Sequence, residues 1–371
     1  MKSLLTSILL FVATMSFGAT PPPDPADLVR LDEALRLAET LGPRVWPGFS
    51  ASDAPIILVR GDFEYLLNTE STAEGFVPLN GQSFRTRPVF VRARTLPPNL
   101  LASFPAIGRD AVVVGTPEAT RHAPATWTLV ICHELFHVYQ GQHGMVEKVA
   151  RLEIGPQMDP SWQLGYPFPY DDPRVIAAMH LLGHETFLAL QNPEGDTYGA
   201  CVVQDAVQNL LDVVNLTAPK TKNAAYLEFV VTKEGVARYF EYRLAQLAAT
   251  NYTPGKAFEK QEGRDAFERT WRDEYAAMPN TIKHLGRVSH SRSEFYASAS
   301  VSGSSSTASI RDGNASTSTA AGGWMTSTFA PCRHYRPAVR RQLRRWSTRC
   351  QSRDADSNPI RKSKGSPNSW P

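Results

Sequence analysis

Residues 127–139 restrict what this chain can fold into more than any other stretch. Trp127, Leu129, Val130, Ile131, Leu135, Phe136 and Val138 form a mostly apolar run, and His133-Glu134-Leu135-Phe136-His137 is set inside it. Residues four apart lie one above the other on a helix, so the run stacks two imidazoles on one face with the Glu134 carboxylate beside them. A largely buried helix carries such groups at a cost unless something pairs with them. A metal ion would do so, and the spacing predicts a zinc-binding helix. Pro124 near the first turn and Gly141 after the last place it at about 124 to 140. The plainer reading is a core helix whose histidines are satisfied by hydrogen bonds.

A catalytic zinc takes three protein ligands and keeps a fourth position open, so two histidines are incomplete. Three residues are candidates for the third. His143 lies six positions after His137, where the zinc proteases called metzincins place a third His, but position 140 is Gln and Gly141 comes one residue late for their turn. Glu234 is set among Val230, Val231 and Ala237 at helical spacing, an acid on an apolar face that needs a partner. Next to it Gly235, about 1 kcal/mol worse than Ala in mid-helix, points to close approach of two helices. The bland alternative for Glu234 is an ion pair with Arg238, four residues on. Glu185, among Leu181, Leu182 and Ala189, ranks behind it, with His184 as its alternative partner.

The two segments together, His133-Glu134-Leu135-Phe136-His137 with Gly141, and Glu234-Gly235-Val236-Ala237-Arg238-Tyr239-Phe240-Glu241, resemble the gluzincin metallopeptidases, especially the aminopeptidase N type. The resemblance covers these two helices. It implies a zincin-like catalytic domain, Zn2+ as cofactor, a peptide or protein as substrate, His133, His137 and Glu234 as ligands, and Glu134 as general base. It also implies a catalytic Tyr well after the ligand Glu, for which Tyr296 stands at a suitable distance and would donate a hydrogen bond to the oxyanion. Two features depart from the family: Glu234 follows His137 by 97 residues, far more than in those aminopeptidases, and no Gly-x-Met-Glu-Asn segment precedes the motif.

Around this centre the expected fold class is α+β, a small mixed β-sheet followed by a mainly helical zincin-like domain. Residues 1–18 read as a signal peptide: Lys2, an apolar stretch from Leu4 to Phe17, and a small-x-small site at Ser16-Phe17-Gly18. The expectation is an exported protein, periplasmic or extracellular, with no membrane span once the signal is removed. The catalytic domain is expected over 26–296, sheet-rich at 50–120 and helical at 121–296. A Pro-rich tether precedes an amphipathic helix that begins at Asp27 and stops near Gly42-Pro43. Ile56–Val59, Phe63–Leu67, Val89–Val91 and Ala111–Val114 read as strands. Asp172-Pro173 caps a helix, Val203 to Val214 repeats at three and four, and a third long helix spans about Ala224–Ala249. The Pro- and Gly-rich stretch from Trp162 to Tyr170 reads as irregular, with ordinary packing favoured over a substrate-lining role.

Charge separates the remainder. Residues 297–371 hold twelve Lys and Arg against three Asp and Glu, so of the chain's formal +3 they carry +9 and residues 1–296 carry −6. Their Ser- and Arg-rich composition predicts a basic tail without a packed core, or a shifted reading frame that replaced a helical C-terminus. Arg340, Arg341, Arg344 and Arg345 allow a nucleic-acid or anionic-surface binder, but no nucleic-acid fold accompanies them, and no nucleic-acid partner is expected. A zinc-containing secreted binding protein without activity is the other competing class. Cys132 and Cys201 are either a disulfide of an exported chain or free thiols.

Overall fold

The computed structural model describes residues 20–51, 53–156, 162–191, 197–217 and 222–286. The expected signal peptide, Tyr296 and the basic tail lie outside these residues. The chain is α+β, with a mixed six-stranded sheet and a larger helical part. Helix α1 (Pro25–Val45) starts where Asp24 accepts a hydrogen bond from the Ala26 N–H at 2.8 Å and Pro25 presets the first turn. It ends at Val45, just past Gly42-Pro43. Pro43 stands in the last turn, and Trp46 N–H still closes on Gly42 O at 2.8 Å.

The sheet follows as β1 (Ile56–Arg60), β2 (Phe63–Leu67), β3 (Val77–Phe84), β4 (Arg87–Ala93), β5 (Leu101–Phe104) and β6 (Ala111–Gly115), in the order β3-β4-β2-β1-β6-β5. Only β1 and β6 pair in parallel. Side chains alternate between faces along each strand. Ile56, Leu58, Tyr65, Leu67, Val112 and Val114 join the helical core, while Ile57, Val59, Leu66, Phe90, Ala111 and Val113 join a second apolar cluster with Leu96, Leu100 and Ile107. Both faces of β1 and β6 are therefore covered, which is why they read as unbroken apolar runs. Two strands were not expected. β3 contains Pro78, Asn80 and Gly81 and pairs on one side only, where proline is tolerated. β5 is four residues long and closes the other edge.

After α2 (Pro117–Thr120), α3 (Pro124–Gln142) carries the His-Glu-x-x-His motif. Trp127 Nε1 donates to Gly115 O at 2.9 Å and ties α3 to the end of β6. Gly141 is inside this helix, not beyond it, and the Asp110 carboxylate approaches it so closely that a Cβ would stand 2.2 Å from Oδ2. Then come α4 (Met145–Leu152), the short α5 (Trp162–Gly165), α6 (Pro173–Gln191), α7 (Thr197–Thr217) and α8 (Asn223–Val230). Asp172 caps α6, its Oδ1 accepting from Arg174 N–H at 2.8 Å. Helix α8 passes through a π-helical turn, Val231–Gly235, into α9 (Val236–Asn251), and α10 (Lys256–Glu262), α11 (Ala266–Thr270) and α12 (Met278–Ile282) complete the described chain.

Two helical cores result. Helices α1, α3 and α9 pack on the sheet around Leu35, Trp127, Phe136 and Phe240. A second core gathers Val175, Met179, Leu210, Tyr226 and Phe229 from α6, α7 and α8. Phe168 and Tyr166 belong to it, Tyr166 stacking on Tyr226 at 4.1 Å, so the aromatic stretch 162–170 packs. The helix formed by α8 and α9 passes from the second core to the first, and its π-helical turn falls at the crossing. Among the described residues no helix is long and apolar enough to cross a membrane.

Candidate metal centre

Three side chains from two elements converge beside the sheet. Helix α3 presents His133 and His137 one turn apart, their rings meeting edge to face with centroids at 4.7 Å. The π-helical turn presents Glu234, whose Oε2 lies 3.3 Å from His137 Nε2 and 3.9 Å from His133 Nε2. The three ligand atoms all lie within 4.8 Å of one another, and among the described residues this is the one His, Cys, Asp or Glu group so arranged. Donors about 2.0–2.2 Å from a tetrahedral ion stand roughly 3.3–3.6 Å apart; the His137–Glu234 separation is in that range, the His133–Glu234 separation is wider, and the two-imidazole, one-carboxylate donor set suits a metal ion.

The backs of both imidazoles also face polar side chains. His133 Nδ1 faces Glu241 Oε2 at 3.1 Å, and Glu241, fully buried on α9, receives hydrogen bonds at Oε1 from Arg238 and from Tyr275 OH, both at 2.5 Å. His137 Nδ1 lies 2.8 Å from Gln140 Oε1. Such outer contacts fix ring orientation and leave each Nε2 free to ligate. Tyr275 reaches Glu241 from a second π-helical turn, Trp271–Tyr275, and the neighbouring Glu274 accepts from Thr126 on α3 at 2.6 Å.

Charge in the pocket favours a cation. Burial disfavours protonation of His133, yet the carboxylates of Glu241, Glu134 and Glu234 outweigh it and raise the imidazole pKa. Burial likewise opposes ionisation of Glu234, but the imidazoles and the Lys233 ammonium hold its carboxyl far below the usual range. For Glu241 the same contest, won by Arg238 and His133, brings the pKa down to about 2. Glu134, adjacent to His133 and 8 % exposed, makes no hydrogen bond or ion pair with any described residue. It is a carboxylate at the site with its lone pairs available.

No protein-family model, curated protein or solved structure matches this chain.

The other expected ligands are elsewhere. His143 caps the end of α3, exposed, with Nδ1 2.8 Å from Tyr139 O and its ring over Tyr139. Glu185 sits half-buried on α6, outside the group, its carboxyl pKa raised by burial against the opposing charge of His184. Arg238 does not pair with Glu234. It turns to Glu241, three residues on. Cys132 is a buried free thiol, its Sγ 3.4 Å from both Ala34 O and Thr128 O, and burial pushes its pKa up.

Sequence reasoning missed the outer contacts. Gln140 is on the same stripe as His133 and His137, three positions after the latter, and a buried amide there is a signal that it has partners. Glu241 lies seven residues after Glu234, two turns along an α-helix, and so on the same side. Nothing in the sequence links Tyr275 to either.

Proposed function

We propose that this protein is an exported zinc-dependent metallopeptidase of zincin-like architecture, with His133, His137 and Glu234 holding the ion and Glu134 acting as general base. The observation that supports this most is the convergence of the Glu234 carboxylate on both Nε2 atoms from a separate helix, with Glu134 adjacent and unpaired. Zinc, when bound, would supply a Lewis acid that acidifies water and polarises a carbonyl. Glu134 takes the proton from the attacking water and passes it to the leaving amine, which requires a carboxylate free of competing partners. Edge strand β5 pairs only with β6 and packs beside α3. An extended peptide adding to its free edge would run along the motif helix, a recognised mode of peptide binding.

The test uses the full chain loaded with zinc and a mixed peptide library read by mass spectrometry. Glu134→Gln changes no ligand, so bound zinc should be unchanged while turnover falls about 10²- to 10⁴-fold. Cleavage that survives this substitution would sink the mechanism. A zinc-loaded wild type that cleaves no peptide would favour a binding protein instead.

A further inference from the structure

Gln140 touches both halves of the metal group. It is 8 % exposed on α3, one turn beyond His137. Its Nε2 donates to two carbonyls of the π-helical turn, Thr232 O at 3.1 Å and Lys233 O at 3.2 Å, while its Oε1 faces His137 Nδ1 at 2.8 Å. A side-chain amide has one oxygen that only accepts and one nitrogen that only donates. Backbone carbonyls only accept, so the turn compels the nitrogen to face it. The oxygen must then face His137, and a contact between that oxygen and Nδ1 requires the ring to carry its proton there. In the neutral ring Nε2 then keeps its lone pair, 3.3 Å from Glu234 Oε2, so that both atoms offer lone pairs to a shared cation.

We propose that Gln140 is the positioning residue of this centre: through one amide, the backbone of the Glu234 turn sets the tautomer of His137 and is fastened to α3 at the distance a shared ion needs. The inference rests on the metal reading of the site and extends it to a residue that touches no ligand atom. Glu does not substitute. A carboxylate at 140 keeps an acceptor for His137 but turns an oxygen on two carbonyls, so the tautomer survives and the fastening is lost. Leu removes both. The general size of such outer contacts is a 10- to 100-fold change in metal affinity.

Three measurements on the full chain separate this role from mere packing. Zinc affinity is read by competition with a chromophoric chelator, ligand geometry by the visible spectrum of the cobalt-substituted protein, and the His137 tautomer by nitrogen NMR of the metal-free protein at a pH where the ring is neutral. Gln140→Leu should weaken zinc about 10- to 100-fold, alter the cobalt spectrum and release the tautomer. Gln140→Glu should weaken zinc while keeping the proton on Nδ1, and it provides the test should the Leu variant not fold. Either folded variant binding zinc within about twofold of wild type, with an unchanged cobalt spectrum, or a wild-type ring protonated at Nε2, overturns the inference alone. A wild type that binds neither metal overturns the metal centre and this inference with it.

Discussion

The two elements that supply the candidate metal group are built differently. Helix α3 is regular: its two histidines stack because they are four residues apart, and its ends and buried face follow from Pro124 and the surrounding apolar run. The helix formed by α8 and α9 brings one ligand, and brings it on a π-helical turn where the chain passes between two cores. Such turns widen the helix locally, redirect side chains and occur often at functional sites. Spacing alone therefore defines half of the group, whereas the other half depends on tertiary contacts. Those contacts are visible as Gln140 reaching to the turn and Glu241 reaching back to His133.

If the α9 side supports the α3 side in this way, removing Glu241 should produce the largest effect. Glu241→Ala leaves the half-buried Arg238 guanidinium and the back of His133 without the fully buried carboxylate they face. Breaking a fully buried pair from one side costs about 3–5 kcal/mol; with the Arg238 side chain 34 % exposed, urea unfolding of the metal-free chain should show a loss of about 3 kcal/mol or less. Zinc affinity, measured by chelator competition, should fall about 10- to 100-fold as well. A loss of stability without any loss of affinity would separate the two halves.

Glu241 and His133 together make a pH prediction for the metal-free protein. Glu241 is lowered from an ordinary 4.5 to about 2 in the fold, so its contribution is present above about pH 4.5 and is lost as pH falls towards 2. His133 is raised above its ordinary 6.5, so its contribution is present below that value and is lost as pH rises through the folded pKa. Unfolding free energy attributable to the pair should therefore be greatest between about pH 4.5 and 6.5. Glu241→Gln should flatten both limbs in a pH series of thermal unfolding.

A smaller test compares the same side-chain bond in the two elements. Thr128 on α3 and Thr232 in the π-helical turn each donate a side-chain hydrogen bond to the carbonyl four residues earlier, Pro124 O at 2.9 Å and Glu228 O at 2.7 Å. In a regular helix such a bond adds little. Where the turn disturbs the ladder it should satisfy a carbonyl, and Thr232→Val should lose about 1 kcal/mol. Thr128 is fully buried, and Thr128→Val, which trades a dispensable bond for apolar burial, should lose less than Thr232→Val. Equal losses would show that the irregular turn needs no such support.

Legibility in the sequence follows the same division. The four expected strands, the capped start of α6 and the long helix through residue 234 were readable because local periodicity and turn residues dictate them. β3 was not, since Pro78 and Gly81 are turn signals that an edge position overrides. The motif residues were readable from α-helical spacing. His143 and Glu185 stayed in competition with Glu234 because only the packing of α9 on α3 decides which acid or imidazole comes near. The π-helical turn itself has no periodic signature, and the amide of Gln140 gains its meaning only from carbonyls 92 and 93 residues away.

The most direct measurement of the account is zinc bound by the purified full chain and by three single variants, with a chelator titration to obtain each affinity. Wild type, His143→Ala and Glu185→Ala should each hold one zinc with affinities within about twofold of one another. Glu234→Ala should lose about 10²-fold or more, the share of one donor if roughly 10–16 kcal/mol of zinc binding is divided over four positions. Retention of zinc by Glu234→Ala together with its loss from His143→Ala or Glu185→Ala would contradict the assignment.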